Sequence, residues 1–276
     1  MRIKLLIALA LFPALLSAQE RVTVKGRIVN EQGEGIEYVQ LGVPKLQIGA
    51  ISDADGSFKI EVPCDTLEFF HVSYQRGFFP VKGPADDLVI LLKENELPPA
   101  VFIGGNTKEK YLMRPGTSVP KKLGIITTSV KGDSPSGREL GSVAKAAKPF
   151  LVKNIQFSVR SNHIPGCVAS INIYRIEGKN ESFINVLHRP IHFEVSESDG
   201  PLHFDIQPDE SLLLEPGRYF IAFQIVDYDK SIPQTPEMTM DFNIYLKKSY
   251  LRETALGKME HLPVNIGIAV KGLEYQ

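Results

Sequence analysis

The stretch Gly49-Ala50-Ile51-Ser52-Asp53-Ala54-Asp55-Gly56-Ser57-Phe58-Lys59-Ile60 has few ways to fold. Two short runs rich in apolar and β-favouring residues flank an acidic turn closed by glycine, which is the pattern of a β-hairpin. The same pattern recurs on both sides. Val22, Val24 and Ile28 alternate with polar residues, and Asn30 to Gly35 makes a glycine-punctuated turn. Ile36 to Val43, Ile48 to Ile51, Phe58 to Val62, Thr66 to Tyr74 and Leu88 to Leu92 follow as further strands, with Pro63 ending one of them. Turns every 8–12 residues between short strands predict a small sandwich of about seven strands over residues 20–97.

The turn residues have mechanical roles. Gly33 and Gly56 stand where hairpins need a positive φ, which a Cβ makes costly. Asp53 and Asp55 suit Asx turns, in which the carboxylate folds back onto backbone N–H groups. A calcium loop with Gly56 at its sixth position would put Ile51 and Val62 at its two anchoring ligand positions, so that reading fails.

The second half repeats the period of two. Ile155, Phe157 and Val159 alternate with polar residues, as do Ile171 and Ile173 with Asn172 and Tyr174. Met238, Met240, Phe242, Ile244 and Leu246 share one face. Tyr219 to Val226 is apolar on both faces and predicts a central strand, fed by a turn at Pro216-Gly217. Glu139 to Ala147 is the one stretch read as a helix, interrupted by Gly141. Residues 124–276 therefore read as a second β-sandwich, jelly-roll-like in class. Residues 98–123, carrying Lys108, Lys110, Arg114, Lys121 and Lys122, read as a basic linker.

Composition removes several classes of function. With 31 basic and 32 acidic residues the net charge is −1, and no basic-aromatic interleaving suits nucleic acid. Arg2 and Lys4 precede an apolar run from Ile3 to Leu16, and Leu16-Ser17-Ala18 offers a cleavage site before Gln19. At about 14 residues that run is short of the roughly 20 a spanning helix needs, so residues 1–18 read as a signal peptide and the mature chain has no transmembrane helix. The protein is expected to be exported, to the periplasm or the outer membrane. Cys64 and Cys167 are the two cysteines. An oxidising compartment permits a bridge, but their places in different expected domains favour two buried free thiols.

Gly26-x-Ile28-x-Asn30-x-x-Gly33, Tyr38-Val39-Gln40-Leu41, Ser52-Asp53-x-x-Gly56-x-Phe58-x-Ile60 and Leu67-x-Phe69-x-x-Val72-Ser73-Tyr74 together resemble the carboxypeptidase regulatory-like domain. Gly35 departs from that pattern, where the family more often has proline. The resemblance implies a transthyretin-like, seven-stranded sandwich with a structural or adhesive role in the Gram-negative cell envelope and no catalytic residue. Leu97 to Gly105 is similar to the segment that follows such a domain in outer-membrane receptors, but the remaining chain of about 170 residues is far short of a 22-stranded barrel. The second half resembles the β-sandwich of uncharacterised exported proteins through Gly137-Arg138-Glu139-Leu140-Gly141, Ile171-Asn172-Ile173-Tyr174 and Tyr219-Phe220.

No motif specifies a reaction. His188 and His192 would chelate a metal on a helix, but Pro190 and the surrounding alternation make the segment extended, and residues four apart then lie roughly 13 Å from one another. His203, Asp205 and Glu194 add no ligand spacing. Gly132-Asp133-Ser134-Pro135-Ser136 lacks the second glycine of a nucleophile elbow and reads as a loop. No catalytic, cofactor or metal residue is therefore assigned. The function expected is a non-catalytic envelope protein that assembles with or binds an envelope protein or a glycan. The alternatives are a glycan-binding accessory protein, disfavoured by the absence of tryptophan, and a carboxylate-dependent hydrolase in the second sandwich.

Overall fold

The computed structural model describes residues 20–96, 104–114, 125–127, 136–231, 237–243, 249–263 and 265–276. The expected signal peptide, Leu97 to Ile103, Lys121, Lys122, Gly132 to Pro135 and Ile244 to Leu246 lie outside them. The described chain is nearly all strand, with one 3-10 turn at Pro44–Leu46.

Seven strands make the first sandwich: β1 (Arg21–Val29), β2 (Gln40–Val43), β3 (Ile48–Ile51), β4 (Ser57–Pro63), β5 (Thr66–His71), β6 (Tyr74–Pro80) and β7 (Ala85–Leu91). One sheet has the order β4-β1-β7, with β7 parallel to β1, and the other runs β3-β2-β5-β6. Inward residues of both, among them Val24, Ile28, Leu41, Ile60, Leu67 and Phe69, form one core. The stretch Gly49 to Ile60 is not the hairpin its pattern predicts: β3 pairs with β2 and β4 with β1 in the other sheet, so the acidic turn carries the chain across the sandwich from one sheet to the other. Local pattern fixes the turn but not the strands' partners, and the turn itself is built as its residues require. Gly33 and Gly56 both hold φ at +82°, Asp55 Oδ1 accepts the Ser57 N–H, and Asp53 Oδ2 accepts the Ser57 hydroxyl.

Two boundaries differ from the sequence reading. Strand β2 starts only at Gln40, because Tyr38 adopts a positive φ of 52° and breaks the run from Ile36. The stretch Thr66 to Tyr74 is not one strand. It turns at Val72-Ser73, and Tyr74–Pro80 returns as β6. That turn contains no glycine, proline or asparagine. Instead the Ser73 N–H donates to His71 Nδ1 at 3.2 Å, so an imidazole does the work usually left to an Asx side chain.

The second sandwich contains β8 (Thr107–Met113), β9 (Ile125–Thr127), β10 (Glu139–Ala146), β11 (Phe150–Asn162), β12 (Cys167–Glu177), β13 (Ser182–Asn185), β14 (Ile191–Val195), β15 (Leu202–Ile206), β16 (Leu212–Leu214), β17 (Gly217–Asp227), β18 (Met238–Asn243), β19 (Ser249–Arg252), β20 (Glu260–Leu262), β21 (Asn265–Ile266) and β22 (Ile268–Tyr275). One sheet runs β13-β12-β17-β10-β19-β20, with β14 also on β12. The other runs β21-β18-β11-β22-β8, with β15 and β16 also on β11 and β9 on β18. The chain crosses from one sheet to the other between β10 and β11 and back between β11 and β12, so their inner faces close over a shared core. At its centre Phe157 lies 4.9–5.6 Å from the rings of Phe193, Phe204 and Phe223.

Strand β17 is central and buried on both faces, as its composition predicts. The helix expected at Glu139 to Ala147 is instead β10. Its residues pair with β17 along Glu139–Ala146 and with β19 at Glu139 and Leu140. Ladder hydrogen bonds and burial of both faces outweigh a weak helical preference. Part of the expected linker is also strand, since β8 pairs with β22 along the sheet edge. Lys110 there pairs with Glu274, and Glu109 with Lys271, so the basic run is partly neutralised by its strand partner.

Both cysteines are free, but Cys64 is exposed rather than buried, because it follows Pro63 at the end of β4. Cys167 is buried, and burial, with Asp227 nearby, pushes its thiol up to about 12. A thiol reagent is therefore expected to modify one cysteine of the native protein, Cys64, and to reach Cys167 only after denaturation. Mass spectrometry of alkylated peptides checks this, and equal labelling of both would contradict it.

Candidate functional site

The face of β10, β12 and β17 turned away from the second core carries Glu139, Ser170, Asn172, Tyr174, Gln224 and Val226, which are all buried. A polar sheet face is normally a solvent face. Here the first sandwich covers much of it. Ile51 packs on Val226 and Ala255, with Tyr38 and Val168 at the margin. Gln40 Nε2 donates to Gln224 Oε1 at 3.4 Å, and Gln47 Oε1 accepts the Lys258 N–H at 2.7 Å. Lys230 pairs with Asp53 in the acidic turn between β3 and β4 and lies 3.4 Å from Asp227. The acidic turn is thus a docking element as well as a bend.

Glu139, fully buried, is the hub of this face. Its Oε1 accepts from Asn172 Nδ2 and from the Tyr174 hydroxyl, each at 2.6 Å. Its Oε2 lies 3.1 Å from Arg252 Nη1, which is an ion pair outside hydrogen-bond geometry. The Arg252 guanidinium sits 5.3 Å above the Tyr174 ring. Asn172 Nδ2 also reaches Gln224 Oε1 at 3.0 Å, linking the hub to Gln40 of the first sandwich. Burial, with Glu139 beside it, holds the Tyr174 phenol well above its ordinary range. Burial works against the Arg252 charge, but attraction to Glu139 and Tyr174 outweighs it and raises its pKa. The network pairs its own charges, and neither Glu139 nor Arg252 lines the cleft or the small cavity between the sandwiches.

Where the sandwiches meet, a cleft of about 550 Å³ opens to solvent. Glu34, Glu37 and Glu94 line it from the first sandwich, and His188, Arg189 and Asp209 from the second. Some lining groups already have work. Asn95 Nδ2 donates to the carbonyls of Val72 and Tyr74, and the Ser73 hydroxyl donates to the His188 carbonyl across the seam. The carboxylates of Glu94 and Asp209 and the Arg189 guanidinium face the cleft without a hydrogen bond or ion pair to any described residue. Behind the cleft lies a cavity of about 20 Å³, walled by Gln40, His71, Ser170, Asn172, His192 and Gln224 among others.

The histidines singled out in the sequence do not converge. His188 sits exposed in a bend before β14, and His192 is on β14 with Nδ1 3.3 Å from Glu37 Oε1. His203 Nδ1 is 2.8 Å from the Ser158 hydroxyl across β11 and β15, while Asp205 takes the amides of Asn154 and Gln156. Among the described residues no three His, Cys, Asp or Glu side chains are grouped to hold a metal ion. Sequence reasoning missed the hub at Glu139 and the seam at His71. The available signal was polar residues at alternate positions of strands too apolar to be edges, as in Asn172 beside Ile171 and Ile173.

No helix among the described residues is long and apolar enough to cross a membrane. No protein-family model matches the chain, and no curated protein matches it. Among solved structures it is similar to the cysteine protease and lectin-like domains of Cwp84, a surface layer associated protein of Clostridium difficile, at 15% identity and a TM-score of 0.34 over 57% of this chain. It spans 37% of that structure. It is also similar to a DUF3823 family protein from Parabacteroides merdae, at 9% identity and a TM-score of 0.23, over 90% of this chain and 98% of the other. A second DUF3823 family protein, from Bacteroides ovatus, has 13% identity and a TM-score of 0.21 over 80% and 96%. Likenesses this distant carry no argument about chemistry, and the site rests on its own geometry.

Proposed function

We propose that this is a non-catalytic, exported protein of the cell envelope, periplasmic or at the outer membrane, that works by binding in the cleft between its two sandwiches. The observation that carries the reading is the cleft itself, with Glu94, Asp209 and Arg189 unengaged at its wall. The buried carboxylate that would otherwise suggest catalysis, Glu139, is spent on Tyr174, Asn172 and Arg252. The first sandwich has the seven strands that the resemblance to the carboxypeptidase regulatory-like domain implies, and that family's role is structural or adhesive.

A glycan is the second reading for the ligand. Carboxylates that accept and a guanidinium that donates suit hydroxyl groups, which do both, and Tyr74 supplies an aromatic edge to the same cleft. Expression of the full chain with a C-terminal tag in a Gram-negative host tests the location. A mature N-terminus at or within two residues of Gln19 and recovery in the envelope fraction are expected. An uncleaved chain in the cytoplasm would overturn the export reading. Calorimetry of the mature protein with neutral envelope oligosaccharides tests the ligand, and binding lost in Arg189→Ala and Asp209→Ala is the expected result. Turnover of the oligosaccharide would contradict the non-catalytic assignment.

A further inference from the structure

The seam brings two imidazoles from different sandwiches to one small cavity, His71 from β5 and His192 from β14. His71 is only 8% exposed. Its Nδ1 accepts the Ser73 N–H at 3.2 Å, which leaves its proton on Nε2. Nε2 is sealed from solvent and has no hydrogen-bond partner among the described residues. His192 packs edge-on against Tyr38, with ring centroids 4.9 Å apart. Its one charged partner is Glu37, at 3.3 Å on the half-exposed side of the seam.

We propose that this seam is an acid-operated latch: protonation of His71 and His192 releases the first sandwich from the outer face of the second and dismantles the cleft.

Protonation fails in two ways while the sandwiches stay docked. A second proton on His71 must go to Nδ1, where it meets the Ser73 N–H donor and breaks the bond that shapes the β5–β6 turn. It also places a positive charge on a buried ring beside the other imidazole. Opening the seam relieves the second, because each ring then reaches water; the first acts inside the β5–β6 turn in either arrangement.

Other charged groups stand around the pair. Tyr74 on β6 packs on the His71 ring at 5.2 Å and adds no charge. The cleft carboxylates Glu34, Glu37, Glu94 and Asp209 would attract an imidazolium, whereas Arg189 and His188 would repel it. Burial dominates for His71, lowering its pKa from 6.5 to about 4, with repulsion from His192 adding to it. His192 is lowered too, because burial outweighs the attraction of Glu37. Both values lie below that of a free imidazole, so docking is fully favoured above about pH 6.5 and weakens as pH falls through that value. For His71 alone the weakening accumulates to about pH 4, at up to tenfold per pH unit, or up to about 300-fold in the docking equilibrium. Lys230 pairs with Asp53 across the seam, so the double histidine variant, which leaves that pair intact, isolates the imidazoles.

Small-angle scattering of the mature chain between pH 7.5 and 4.5, with circular dichroism in parallel, tests the latch. The expected result is a rise in maximum dimension with the sheet signal unchanged. In His71→Asn/His192→Asn that rise is abolished, since the amide oxygen introduced at position 71 still accepts the Ser73 N–H and neither new side chain titrates. A wild-type chain that keeps its dimensions, a double variant that opens as the wild type does, or opening that coincides with loss of sheet signal would overturn the proposal. If the double variant is already open at pH 7.5, the imidazole proton resonances of the wild type decide the matter. Titration of both seam histidines in step with opening supports the latch, and titration near pH 6.5 without any change in dimension overturns it.

Discussion

Glu139→Ala is expected to lower the stability of the folded chain by about 3–5 kcal/mol, the cost of removing one partner of a buried ion pair. The Tyr174 hydroxyl loses its acceptor, the Asn172 amide loses one of two, and the Arg252 guanidinium loses its counter-ion. Arg252, which is 9% exposed, becomes a buried charge with no counter-ion, and that accounts for most of the loss. Glu139→Leu combined with Arg252→Met removes both charges together and is expected to recover the part of the loss owed to the unpaired charge, while the Tyr174 hydroxyl still lacks its acceptor. Urea unfolding followed by circular dichroism checks both. The single variant should move the midpoint down by roughly 1–2 M or more, and the double variant by much less. A double variant as unstable as the single one would show that the face is held by specific hydrogen bonds rather than by charge balance.

The second large effect is expected at Gly49. A Cβ on this residue would stand 1.9 Å from the Ala255 carbonyl oxygen, which belongs to the loop after β19 on the other sandwich. The obstacle is backbone and cannot swing aside, so Gly49→Val must push the two sandwiches apart. Overpacking of this kind costs about 1–3 kcal/mol when the surroundings can yield, and more when they cannot. The contacts it displaces lie along one margin of the seam: Ile51 on Val226 and Ala255, and Gln47 on Lys258. Each sandwich keeps its own core, so the variant is expected to remain folded while losing the docked arrangement. Scattering at pH 7.5 should show a longer particle, and proteolysis between the sandwiches should become rapid. Unchanged dimensions would show that the Ala255 loop yields more readily than its packing implies.

The elements were legible where pattern and chemistry agreed. Val22 to Val29 and Phe58 to Val62 alternate, and they pair as β1 and β4 in register from Arg21 with Pro63 to Arg27 with Ser57. Gly33 and Gly56 were readable as turns because no other residue holds φ at +82° without strain. Residues Val72-Ser73 were not, because their turn is stabilised by a histidine two positions back rather than by a turn-forming residue. Glu139 to Ala146 misled for a related reason. Its preference is weak, and the partners that make it a strand, β17 and β19, lie far along the chain.

The site was less legible than the fold. Asn172 and Tyr174 were visible as the polar face of a strand, but nothing local distinguishes a face bathed in water from one covered by another sandwich. The cover over Gln224 and Val226 depends on where Gln40 and Ile51 come to rest, and Gln40 is 184 residues from Gln224 in the chain. The cleft has the same origin. It is made by bringing Glu94 and Arg189 to the wall of one cleft, a placement with no trace in spacing or motif.

Strand β22 lies between β11 and β8, pairing with both. Its two neighbours are made more than a hundred residues earlier, so a ribosome must deliver residues 268–275 before that layer can close. Until then the long ladder of β11 keeps a vacant side, and the second core stays open along it.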